Sequence, residues 1–90
     1  MEFEWNPGKA AANARKHDVT FYEASSVFDD PLALTFDDPD HSIDEERFLT
    51  FGMSRSGRLL IVTHVIRGAR IRIVSARPVT RGERKIYEEG

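Results

Sequence analysis

The sequence predicts a small α+β domain with a mostly antiparallel sheet, two N-terminal helices and one C-terminal helix, in the order β-α-α-β-β-β-β-α. Three observations carry this. Apolar runs in the second half are joined by hairpin-length turns, SRSGR at Ser54 to Arg58 and Arg67-Gly68-Ala69. An alanine-rich stretch, PGKAAANARKH, follows an Asn-Pro pair near the N-terminus. Thr80 and Glu83 have capping-box spacing ahead of the last segment. At 90 residues, with 40% apolar and 31% charged side chains, the chain is read as one folded domain spanning residues 1–90.

The elements follow in order. FEWN is a short strand signal. Asn6 caps the first helix and Pro7 takes its first position, where a missing N–H is harmless. That helix is expected to end near His17 and Asp18. TFYE, Thr20 to Glu23, fits a second capping box, opening a helix with Phe21, Ala24, Val27 and Phe28 on one face. Asp29 to Pro31 should stop it. Leu32 to Phe36 reads as a strand, Asp37 to Glu46 as an acidic loop, and Arg47 to Met53 as a strand. Leu59 to Ile66 is apolar at both parities, so it should be covered on both faces. Arg70 to Arg77 alternates, with Ile71 and Ile73 on one face and Arg70 and Arg72 on the other. The last helix carries Arg84 and Tyr87.

Several chemistries are disfavoured. With no cysteine, disulfides, zinc ribbons, thiol nucleophiles and iron–sulfur ligation are excluded, and a reducing, cytoplasmic home is expected. MEFEWNPGK has no apolar signal region, and LLIV at Leu59 to Val62 is too short to span a membrane. No GxGxxG or GxxxxGKS occurs, so no nucleotide cofactor is expected. His17, His41 and His64 sit on separate elements without HxH or HExxH spacing. Asp40 with His41 is the one place for a stray cation, and no functional metal is expected. No GxSxG elbow supports a serine triad.

Charge is unevenly distributed. Residues 1–50 carry four basic and twelve acidic side chains, whereas residues 51–85 carry nine basic side chains and one acid, Glu83. Eight of those nine are arginine, whose planar fork suits phosphate. This reads as a surface for phosphate or an acidic partner; the plainer reading is a set of soluble strands. Lys9, Asn13, Lys16 and His17 share one helix face and would meet a phosphate, unless they are simply its wet side. Arg67, Arg72, Arg77, Arg84 and Tyr87 form a second set. RNA carries its own nucleophile, the 2′-hydroxyl. Its cleavage therefore needs only a base, cations around the phosphorane and an acid or stabiliser at the 5′-oxygen.

Four blocks carry a family resemblance: FEWNPGKAAANARKHDVTFYEASSVFDDP, ERFLTFGMSRSGRLLIV, RIRIVSAR and ERKIYEEG. In that order the sequence resembles the BrnT toxins, which pair with BrnA antitoxins in bacterial type II toxin–antitoxin modules. The family is in turn similar to RelE-type toxins. The resemblance implies a RelE-like fold and a metal-independent endoribonuclease that inhibits translation by cutting RNA. It also implies a BrnA-like antitoxin that neutralises the enzyme in a hetero-oligomer and supplies any contact with DNA. Recurrent polar residues of the family correspond to Lys9, Asn13, Lys16, His17, Glu46, Arg47, Arg67, Arg72, Arg77, Glu83, Arg84 and Tyr87. Of these, Arg77, Arg67 and Arg72 would stabilise phosphate and transition state, and Tyr87 would position or protonate. Glu46 or His17 would be the general base. Lys9, Lys16, Arg47 and Arg84 would track the RNA backbone. Asp18 stands where glycine is common, so a positive φ there would be strained. The rival reading is a non-catalytic module acting in a DNA-binding repressor complex. Catalysis predicts that Arg77 and Tyr87 converge in one cleft; binding alone predicts a flat arginine field without an acid–base pair.

Overall fold

The computed structural model describes residues 1–39 and 45–90. The Asp40–His41 cation position lies outside the described residues. In chain order the elements are β1 (Glu2–Glu4), α1 (Pro7–His17), α2 (Phe21–Ser25), a 3-10 turn (Ser26–Asp29), β2 (Leu34–Asp37), β3 (Arg47–Met53), β4 (Leu59–Arg67), β5 (Arg70–Pro78) and α3 (Arg81–Glu89). The sheet order is β1-β5-β4-β3-β2. Its four later strands run antiparallel, while β1 lies parallel to β5 and covers only Arg70 to Arg72.

Local chemistry accounts for the helix ends. The Asn6 side chain accepts from the Lys9 N–H at 3.0 Å. Asp18 closes α1 in the left-handed region, φ 56° and ψ 37°, as the substitution for glycine foreshadows. At Thr80 both halves of the capping box form. At Thr20 only the hydroxyl half forms, because Glu23 is taken instead by Ser54, Ser56 and Arg58. The second helix is shorter than expected and tightens into the 3-10 turn. Asp30 then makes a local turn to the Leu32 N–H at 2.9 Å, which delays β2 to Leu34.

Val19, Phe21, Ala24, Val27, Leu60, Val62, Ile73 and Ala76 form the core between the helices and one face of the sheet. Phe51, Leu59, Ile61 and Val65 alternate onto the other face and are also buried, so β4 is covered on both sides as its sequence indicates. One irregularity decides which face carries the arginines of β5. His64 pairs with Ile73 and Thr63 with Ser75, so Val74 is an extra residue. Strict alternation would put Arg72 and Arg77 on opposite faces. The bulge returns both to the face that also carries Val65 and Ile61, their partners on β4.

Along the remaining edge of β5, a side chain takes the place of a strand. The Asn13 amide donates to Ala76 O at 2.8 Å and Val19 O at 3.0 Å, and accepts from the Ala76 N–H at 3.1 Å. Asn13 is therefore buried and does not belong to a wet stripe with Lys9 and Lys16, which are exposed.

Candidate active site

Two groups of polar residues occupy opposite ends of the arginine-bearing sheet face. At the β4–β5 hairpin end, Arg47, Val65, Arg72 and Glu4 lie in one cross-strand row, with Arg67, Arg70 and Glu2 in a neighbouring row. Arg72 donates to Glu4 at 2.8 Å, Arg70 pairs with Glu2 at 3.2 Å, and Glu45 lies 3.3 Å from Arg47 and 3.9 Å from Arg67. The hydrogen bond from Arg72, opposed by burial and helped by the Arg72, Arg70 and Arg67 charges, holds the Glu4 carboxyl below its usual range. Glu46 is exposed and lines an open groove with Glu45, Phe48, Val65, Ile66 and Arg67.

At the other end, β5 and α3 bring Arg77, Glu83 and Tyr87 together. Arg77 grips Glu83 through two N–H groups at 2.9 and 2.8 Å and donates to Pro78 O at 3.2 Å. This hydrogen bonding takes the Glu83 carboxyl down to about 2, against an opposing burial contribution and with help from the Thr80 N–H. Tyr87, one turn after Glu83 on α3, donates to Asp30 at 2.6 Å. The same Asp30 oxygen accepts from the Met53 N–H at 2.8 Å. Burial works against ionisation of Asp30, but the Tyr87, Met53 and Leu32 donors outweigh it and hold its carboxyl low. Asp30 in turn, helped by burial, raises the Tyr87 phenol, which stays a protonated donor.

The expected residues thus divide. Arg77 and Tyr87 share the α3 end. Arg67, Arg72, Arg47 and Glu46 gather at the hairpin end, four to six strand positions away, about 13–20 Å at ~3.3 Å per strand residue. His17, Lys9 and Lys16 belong to α1, whose Asn13 and Ala10 pack on the core side, so the sheet separates them from the arginines. Arg84 lies on α3, 4.0 Å from Glu88. Sequence reading missed Asp30 as the Tyr87 partner. Its aspartate–proline context reads only as a helix stop, and the 57-residue separation leaves no local signal. Among the described residues, no three His, Cys, Asp or Glu side chains are grouped to hold a metal ion.

The family described as "Ribonuclease toxin, BrnT, of type II toxin-antitoxin system" matches residues 5–83. Among solved structures, the chain is similar to the crystal structure of the Brucella abortus ribonuclease toxin BrnT. The TM-score is 0.69 at 19% identity, covering 90% of this chain and 99% of the other. At that identity the likeness shows the fold. No curated protein matches the chain.

Proposed function

The chain belongs to the BrnT family of ribonuclease toxins of type II toxin–antitoxin systems, and from that membership we propose that it is a metal-independent, cytoplasmic endoribonuclease. A BrnA-type antitoxin neutralises it in a hetero-oligomer, and DNA is reached only through that partner. The observation that supports a reaction centre is the α3 end, where Glu83 and Tyr87 stand one helical turn apart and carry a guanidinium and a protonated phenol beside one another.

The chemistry follows from those groups. The RNA 2′-oxygen attacks the adjacent phosphorus, its proton leaves to solvent water, and the bond to the 5′-oxygen breaks as that oxygen gains a proton. The products are a 2′,3′-cyclic phosphate and a 5′-hydroxyl. Arg77 uses three of its five N–H groups on Glu83 and Pro78, and the other two remain for phosphate oxygens. Glu83, held at about 2, is too weak a base to take the 2′-proton and serves instead to aim the guanidinium. Tyr87 has a single O–H, held by Asp30 at 2.6 Å, and on RNA binding turns it from that carboxylate to the phosphorane or the leaving oxygen. Arg67, Arg72, Arg47 and Arg84 hold flanking phosphates, with Lys9 and Lys16 reaching only RNA that wraps the α1 side.

A second placement is favoured by the hairpin groove, where an exposed carboxylate, Glu46, stands with a cation, Arg67. His17, behind the sheet, fits neither centre directly. The experiment is RNA cleavage by purified protein beside Arg77→Ala, Tyr87→Phe and Glu46→Gln. Loss of about 10²-fold or more in Arg77→Ala, exceeding the loss in Glu46→Gln, is expected for the α3 centre. The reverse ranking moves the reaction to the hairpin groove. A wild-type protein that leaves RNA intact supports the non-catalytic repressor module.

A further inference from the structure

We propose that Tyr22 and Arg55 form a stacking subsite for one unpaired base of the RNA, continuous with the Arg77–Tyr87 centre. The inference rests on the ribonuclease reading for its substrate class and goes beyond it in assigning a site on α2 and the β3–β4 turn. Tyr22 is 67% exposed although it is a large aromatic on a helix whose other aromatic, Phe21, is 1% exposed. The Arg55 guanidinium lies over its ring, 5.7 Å from the centroid, and donates to the phenol oxygen at 3.3 Å. Among the described residues Arg55 makes no ion pair, whereas Arg58, Arg67, Arg70, Arg72, Arg77 and Arg84 each meet a carboxylate. An exposed ring beside an uncompensated planar cation offers one surface for a base and one charge for its phosphate.

The platform is held in place from below. The Arg55 N–H donates to Ser26 Oγ at 2.8 Å. Ser54 and Ser56 donate to one Glu23 oxygen, and Arg58 grips the same carboxylate. The turn bearing Arg55 is thereby clamped to the helix bearing Tyr22, so little ordering remains to be done on binding. A shallow depression runs beneath the pair along Glu23, Ser26 and Ser56. A second depression shares Ser26 and Arg55 with it and reaches Met53 and Asp30, the residue that holds Tyr87. A strand with its scissile phosphate at Arg77 and Tyr87 therefore has a path across Asp30 to Tyr22.

The test uses the full chain and short single-stranded oligoribonucleotides. Each carries 2-aminopurine at one position and a 2′-methoxy group at the cut site to prevent cleavage. Binding is read by anisotropy and stacking by 2-aminopurine quenching, with melting temperatures alongside. Tyr22→Ala should weaken binding about 5- to 100-fold and abolish quenching at one position, and Tyr22→Phe should retain both. Arg55→Ala should weaken binding and reduce the salt slope by about one. A Tyr22→Ala protein with wild-type affinity and quenching, whether or not it melts lower, overturns the subsite while leaving cleavage by the wild type untouched. Position-specific binding lost in Tyr22→Ala, in a protein that cuts no all-ribose RNA, keeps the subsite and removes the ribonuclease reading. A wild type that binds none of the oligonucleotides overturns both.

Discussion

Burial gives the His64 ring one workable protonation state. It is 3% exposed, lies edge-on to Phe28 and stacked on Phe48, and its Nε2 shares a 2.8 Å hydrogen bond with Thr50 Oγ1. Its Nδ1 has no hydrogen-bond partner among the described residues. An imidazolium would bury an unpaired N–H, whereas the neutral ring leaves only an acceptor unmatched. Burial accordingly lowers its pKa to about 4. Between that value and ~6.5 the unfolded chain binds the proton and the folded one does not. Stability is therefore fully present above about pH 6.5 and falls as pH drops towards 4, by about 3 kcal/mol at most. Urea unfolding at pH 7.5 and 4.5 should show this loss, and His64→Leu should flatten it. Asn13 carries a different burden: Asn13→Ala strands Ala76 N–H, Ala76 O and Val19 O. About 3 kcal/mol of destabilisation is expected by denaturant titration, with m unchanged. Helical spacing made Asn13 a neighbour of Lys9 and His17 on one stripe; only the edge of β5 shows that its amide faces inward.

At the scale of elements, close approach between the 3-10 turn and β3 depends on Gly52. A Cβ there would lie 2.6 Å from Val27 Cγ1 and 3.2 Å from both Val27 O and Ala33 Cβ. The obstruction includes backbone, so a rotamer change cannot relieve all of it. Gly52→Ala should destabilise by about 1–3 kcal/mol, read as a lower melting temperature. The same junction presents Asp30 to Met53 and Tyr87, so the variant should also loosen α3, seen as faster amide exchange over residues 81–89. α3 buries none of its residues fully and is tied down by Arg77–Glu83 and Tyr87–Asp30. Its boundary was legible because a capping box is local, within four residues. Of its two anchors, Arg77–Glu83 spans only six residues, whereas Tyr87–Asp30 spans 57 and left no local signal.

Over the whole molecule, the uneven charge of the sequence is largely folded against itself. Glu2, Glu4, Glu23 and Glu45 from the acidic half meet Arg70, Arg72, Arg58 and Arg67 from the basic half. An antitoxin or RNA strand reaching these arginines must exchange with carboxylates already present, so charge contributes more to encounter and specificity than to net affinity. Arginine and tyrosine chemistry on a ribose substrate leads to one further expectation. Excess EDTA should leave cleavage unchanged, and the all-deoxy oligonucleotide of the same sequence should remain intact. A chelator-sensitive activity restored by Mg²⁺ would remove the mechanism proposed above.

What the sequence determined by itself was local or periodic: the caps at Asn6 and Thr80, the turn at Ser54 to Arg58, the alternation of Arg70 to Ile73, and the double-sided burial of β4. Ordered blocks of sequence likewise carried the family. The tertiary structure alone decided that β1 returns to lie parallel beside β5, and that Asp30 holds Tyr87. It also decided that the six candidate catalytic residues divide between two ends of one sheet face and a helix behind it. The Val74 bulge is the clearest case. Regular alternation places Arg72 and Arg77 apart, and only a register shift against β4 brings them to one face. Pairing register is set by contacts between strands, and no run of neighbouring residues encodes it.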